Sequence, residues 1–363
     1  MKELFSKKNI GYSFVFMLIN ITSITVITSL TGLNLRMAFI ASGIATLLFH
    51  KLTKNKIPSF IGMSGSFVGG MIAVSQSQGV EYALGGVIGG GVCYILNIGI
   101  MLIGLSLTPI GANLFSVDIV ISAISLVTLL VIELKVNNPK VKMFSIPIAI
   151  LISTLVSFVV RGIPTIEPQT LEFIAPKFSL EAFTMISVVT LATLFEVLSD
   201  LKFAGDLIEV DTFKEVGVGR ILLGNGIGSI LSGLLGANNT TSYSENNSGV
   251  QLTKYKSGYA QVGASLLFIL VALIPHALDV FLYIPQASFA GVVLYLFASI
   301  TINGMRGLLG DMHNKKKFMI TCLALGLSFA TYTIGGVTVS SIFVVVALAI
   351  ILNIVIKDTD EVI

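Results

Sequence analysis

The sequence predicts an all-α polytopic membrane protein of about 13 crossings, two of them interrupted by extended backbone. Three observations carry this. The chain of 363 residues is 54% hydrophobic and 11% charged, where a soluble domain carries about 25% charged residues. Its mean hydropathy is +0.94, and a soluble core of this length has no room for so much apolar surface. Second, eleven apolar segments, joined mostly by short loops, approach the roughly 20 residues that a crossing helix needs. Third, segments 58–76 and 237–256 are apolar runs broken by polar and turn-forming residues.

The elements follow in order. The basic start "MKELFSKKN" leads into a first span at 10–31, which has no small-residue cleavage site and is read as a helix and not a signal peptide. A second span covers 35–50. The first broken segment follows, with Pro58, Gly62 and Gly65. Further spans are expected at 84–106, 117–134, 145–161, 182–198 and 217–236. The second broken segment carries "ANNTTSYSENNSGVQLTK". Spans at 258–277, 283–303, 318–334 and 338–356 complete the chain. The 35 glycines suit close helix packing in lipid. Cys93 and Cys322 lie in apolar runs and read as buried small residues. His50, His276 and His313 stand at span ends with no metal-site spacing, and no cofactor is expected. The net charge of +3 gives no reason to expect nucleic acid. HExxH, nucleophile-elbow and paired-Asp metal motifs are lacking, which argues against a membrane enzyme.

Basic residues favour the cytoplasmic side. Lys2, Lys7 and Lys8 place the N-terminus there, and Lys51, Lys54 and Lys56 place the second loop there. Counting back from Lys357, the lysines at 315–317, 254 and 256, 202 and 214, and 135, 140 and 142 alternate correctly, so both termini are expected inside. Between Lys56 and Lys135, however, only three crossings are found, an odd number. Either one crossing is missing, or the run "ALGGVIGGGVCYILNIGIMLIGLSLTPI" does not cross once, or one loop breaks the charge rule.

Few acids lie inside the spans. Glu196 and Asp200 are four residues apart and share a helix face. Glu245 lies in the second broken segment. An acid at the centre of a span costs about 2.5–3.5 kcal/mol on insertion scales, so it usually faces a cavity and functions there. The structural alternatives are a hydrogen-bonded or protonated Glu196 and an Asp200 at the cytoplasmic helix end. Glu133, next to Lys135, reads as interfacial. Irregular backbone at membrane depth is tolerated only where it is buried in protein or lines a cavity. Two such segments at corresponding places in two halves point to the substrate site of an inverted-repeat transporter. Each half-helix start offers free N–H groups and a positive dipole end.

"TTSYSENNSGVQLTK" resembles the signature of the nucleobase–ascorbate transporter family, the uracil and xanthine permeases. Glu245, Asn246, Thr253 and Lys254 match that signature; its glycine falls on Ser248, with Gly249 one place later. "FEVLSDL" is similar to the family's Ala-Glu-His-x-Gly run, with Glu196 at the substrate-binding glutamate. Val197 and Ser199 replace the His and Gly. "TLLFHKLTKNKIPSFIGMSGSF" and "GRILLGNGIGSILSGLLG" also resemble family segments, and the likeness covers nearly the whole chain.

The resemblance implies a seven-plus-seven inverted-repeat fold. Its core domain would be 1–97 and 166–277, and its gate domain 98–165 and 278–363. It implies proton-coupled symport of a nucleobase, uracil before xanthine or another purine, across the cell membrane. The substrate would meet Glu196, Glu245, Phe67, Ser244 and Ser23, and Glu196, Asp200 and Glu245 would serve proton coupling. A homodimer through the gate is expected, as often in the family, with the lipid bilayer as surroundings. "YILNIGIMLIGLSLTP" joins the start of the fourth span to the latter part of the fifth, an apparent internal deletion where the charge count also fails. The alternatives carried are an anion carrier of the same fold and a transport-defective remnant that still binds a nucleobase.

Overall fold

Apolar stripes on the outside of the helices set the architecture. Val120, Val127, Val131 and Leu134 form one exposed face, Leu151, Leu155 and Val159 a second, and Ile10, Phe14 and Leu18 a third. Their spacing of three, four or seven is one side of a helix, and such faces suit lipid. The computed structural model describes residues 3–96, 112–295, 315–327, 332–334 and 337–339, with isolated positions between 298 and 352. The run 97–111, which holds most of the apparent deletion, lies outside the described residues.

Helix α1 (Lys7–Thr31) starts at a Ser6 cap and ends at Gly32 in the left-handed region. Helix α2 (Leu35–Leu52) starts at an Asn34 cap. Both are long and apolar enough to cross by themselves. Strand β1 (Ile61–Met63) is followed by a 3-10 turn (Gly65–Phe67) and the half-helix α3 (Val68–Ser77). Then come α4 (Val80–Leu96), α5 (Ile119–Lys135) and α6 (Ser145–Arg161), with a short helical turn (Pro139–Met143) between the last two. An extended strap at 162–179 leads to the long α7 (Leu180–Ile208) and to α8 (Val218–Leu234). Strand β2 (Thr240–Ser242) feeds the half-helix α9 (Ser244–Thr253), followed by α10 (Tyr259–Leu273), α11 (Gln286–Tyr295) and α12 (Lys315–Leu327).

The packing exchanges the two halves. α4 packs on α7 and α8, and α10 packs on α1 and α2. Each half's fourth element therefore covers the other half's first two, as an inverted repeat requires. α5 and α6 pack on each other. Ser122 and Ser125 of α5 donate to the carbonyls of Ala287 (3.3 Å) and Ser288 (2.7 Å) at the start of α11.

Both broken segments take the form the sequence predicts, and β1 and β2 join them. They pair antiparallel, Ile61 with Ser242, Gly62 with Thr241 and Met63 with Thr240. Ser64 N donates to Asn239 O (2.8 Å) and Tyr243 N to Phe60 O (3.1 Å), which extends the ladder at each end. A hydroxyl from a neighbouring helix closes each outer edge. Thr46 of α2 donates to Ile61 O and accepts from Ile61 N, both at 3.0 Å. Ser229 of α8 does the same for Thr240, at 3.3 and 3.0 Å. Both hydroxyls are the twelfth residue of their helices. No backbone group of these two strand residues then needs water at membrane depth.

The far end departs from expectation. The expected spans 318–334 and 338–356 meet in a hairpin, β3 (Tyr332–Ile334) against β4 (Val337–Val339). "TYTIGGVTVS" explains it: β-branched residues flank a Gly-Gly pair, a hairpin signal inside an apolar run.

Candidate functional site

Antiparallel pairing of two strands that each lead into a helix points the half-helix starts of α3 and α9 at one central region. Three residues after the last residue of β1 stands Ser66, and three after the last residue of β2 stands Glu245. Each meets a side chain from a long helix. Ser23 of α1 donates to Glu245 Oε1 at 3.0 Å. Ser66 donates to Glu196 Oε2, on α7, at 3.1 Å. Ser23 and Glu196 are each the seventeenth residue of their helices. The site is thus two serine–glutamate pairs at equivalent places in the two repeats, with donor and acceptor exchanged. Glu245 lies in the first turn of α9, where the dipole favours a carboxylate.

Asp200, one turn beyond Glu196, lies beside Ser242 and close enough to Glu196 and Glu245 for their charges to interact. Its backbone carbonyl accepts from Asn247 Nδ2 at 2.9 Å. Glu196 and Ser244 keep exposed surface, and Ser23 and Glu245 are half-buried. Phe67 is fully buried, with no ring face open in this arrangement. The proposed substrate contacts therefore divide: Glu196, Glu245, Ser23 and Ser244 gather around the strand ends, and Phe67 packs beneath them.

The signature residues mostly build the scaffold. Asn246 is fully buried and donates to Pro58 O at 2.8 Å, tying the two broken segments together. Thr253 Oγ1 donates to Gly249 O at 2.7 Å, and Lys254 caps α9 in the left-handed region at φ 54°. Ser248 is exposed. The close approach falls at Gly249, where an added Cβ would stand 2.7 Å from Ile19 Cδ1 and 3.0 Å from Phe16 Cε1. Gly62 is equally confined, since its Cβ would stand 2.6 Å from Tyr243 Cζ. The Tyr243 hydroxyl donates to Met63 O at 2.7 Å.

A cavity of about 510 Å³ opens beside Glu245. Ser23, Glu245, Ser248 and Gln251 line one side of it, and Glu133, Asn137 and Lys142 line another. Glu196, Asp200 and Phe67 are not part of that lining. Sequence reasoning missed Ser66 and took Glu133 as interfacial. The equivalence of "IGMSGS" and "TTSYSE" is the signal that could have found Ser66.

A model of the permease family Xan_ur_permease matches residues 94–335. The chain belongs to this xanthine–uracil permease family. A uracil permease of Paenibacillus larvae is 26% identical, over 93% of this chain and 91% of the relative. A uracil permease of Escherichia coli K12 is 26% identical, over 87% and 83%. Among solved structures, the transmembrane domain of the cyanobacterial bicarbonate transporter BicA superposes with a TM-score of 0.64 at 14% identity, covering 96% of each chain. That likeness shows the fold, an inverted-repeat transporter architecture; the family match and the permease relatives make the chain an integral membrane transporter and not an enzyme.

Proposed function

We propose that this permease moves a nucleobase across the cell membrane by proton-coupled symport, with uracil as the first candidate and xanthine or another purine next. The paired arrangement of Ser23 with Glu245 and Ser66 with Glu196 carries the reading. Each serine occupies one carboxylate oxygen and leaves the other free to accept. A uracil-type ring presents N–H donors alternating with C=O acceptors, and two free carboxylate oxygens match two N–H groups. Backbone N–H groups at the half-helix starts suit the ring carbonyls. Asp200, coupled in charge to both glutamates, is the third candidate for carrying the proton.

The bicarbonate-transporter fold offers a second reading, an anion carrier. Glu245 in the first turn of α9 and Glu196 against Ser66 before α3 argue against it, because they set negative charge at the positive ends that an anion would need. Residues 1–97 and 166–277 form the proposed core, and 98–165 and 278–363 the proposed gate, which rock against each other to alternate access. Both termini are assigned to the cytoplasm, and a homodimer through the gate is part of the proposal.

The test is uptake of radiolabelled uracil, xanthine and hypoxanthine in cells lacking their own permeases. Uptake of at least one should exceed the Glu245→Gln control. Equal counts for all three would refute transport and favour the remnant reading. Accumulation that survives collapse of the pH gradient would remove proton coupling.

A further inference from the structure

The cavity beside Glu245 has two walls, and the site above uses one of them. Glu245, Ser248 and Gln251 are spaced by three and form one face of α9, leading from the strand end toward Lys254. The opposite wall comes from α5 and the turn before α6. Glu133 stands in the last turn of α5, and Lys142 in Pro139–Met143. Both are half-buried. The ion pairs among the described residues join other groups, so Glu133 and Lys142 face the cavity unpaired. A carboxylate and an ammonium that line one cavity and are not paired with each other are both free to bind a ligand.

Their chemistry is complementary to the edge of a planar cyclic amide. The carboxylate accepts a ring N–H, and the ammonium donates to a ring C=O. We propose that Glu133 and Lys142 form a release-side subsite, which receives the ring after it leaves Glu245 and Ser23. This rests on the nucleobase reading above. The subsite lies toward the end of α9 that carries Lys254 and Lys256, the face assigned to the cytoplasm by its lysines. Glu133 and Glu245, two carboxylates on one cavity, also disfavour an anionic occupant.

The experiment measures KM for uracil from both sides, in whole cells and in everted vesicles. In Glu133→Gln and in Lys142→Gln, the ratio of cytoplasmic to external KM should rise about tenfold, the effect of losing one charge-assisted hydrogen bond. Glu133→Asp and Lys142→Arg should recover part of it. Ser23→Ala should instead raise both KM values together. An unchanged ratio in both neutral variants overturns the subsite and leaves transport standing. A wild type that moves none of uracil, xanthine or hypoxanthine in either direction overturns both readings. A variant missing from the membrane is judged through its partner variant, since either one alone should move the ratio.

Discussion

A serine hydroxyl that donates to a carboxylate fixes its rotamer and leaves its second oxygen for a ligand. Ser23 does this for Glu245 and Ser66 for Glu196. A hydrogen bond to a charged group contributes about 1.5–3 kcal/mol. Ser23→Ala should therefore raise KM for the nucleobase about tenfold or more, since 1.4 kcal/mol is a factor of ten. In a Glu245→Gln background the same change should add little, because the two act as one unit. Uptake kinetics on the four variants check this, and full additivity would separate the pair. Gly249 and Ser248 differ in kind. Gly249→Ala should lower the melting temperature of the detergent-solubilised protein, because Ile19 and Phe16 block a Cβ there. Ser248→Gly should cost only the helix propensity of glycine, about 0.5 kcal/mol, since Ser248 is exposed. The acids were legible in the sequence, because a carboxylate in an apolar run is costly and conspicuous. Ser66 was not: a hydroxyl among apolar residues costs little, and its partner lies 130 residues away.

At the scale of elements, the edge hydroxyls decide whether the two strands are tolerated in a bilayer. Thr46→Val keeps the shape and removes both bonds to Ile61, leaving a buried N–H and C=O unpaired. The cost should be about 1–3 kcal/mol for each such group, seen as a lower melting temperature, and Ser229→Ala should cost a similar amount at Thr240. A second effect belongs to the ends of α5 and α6 that lie away from the turn joining them. Asp118 caps α5 and pairs with Arg161 at 3.1 Å, and the guanidinium holds its carboxyl below the usual range. A lowered carboxyl stabilises the fold above its unfolded pKa of about 4 and loses that contribution as pH falls further. Arg161 is largely exposed, so the effect should be about 1 kcal/mol or less. The melting difference between wild type and Asp118→Asn should shrink below about pH 4. Element boundaries were legible where composition changes sharply, as at 145–161, which the structure reproduces. The hairpin at 332–339 was not, because its residues are as apolar as a span and only "GG" marks the turn.

The whole molecule is two interlocked halves, with α4 and α10 each packed on the other half's first two helices. The turn at Pro139–Met143 and the strap at 162–179 are separated by the single helix α6, so they should lie on opposite sides of the membrane. A reporter fused at 138 should read cytoplasmic and one at 172 external; the reverse would invert the topology assigned from the lysines, and the same side for both would mean that α6 does not cross. The two-half plan was legible from the broken segments, but its interlocking was not, since long-range partners leave no local pattern. The strand pairing also has a consequence in time. Tyr243 and Met63 touch across 180 residues of chain, which a ribosome adds in roughly 10–35 s at about 5–20 residues per second. Until residue 240 has been made, β1 has no partner strand, and of its two edges only the one facing Thr46 can be satisfied. Pairing of the two strands is therefore necessarily late in synthesis, and a chain truncated before residue 240 should be cleared faster than the full-length chain in a pulse-chase measurement.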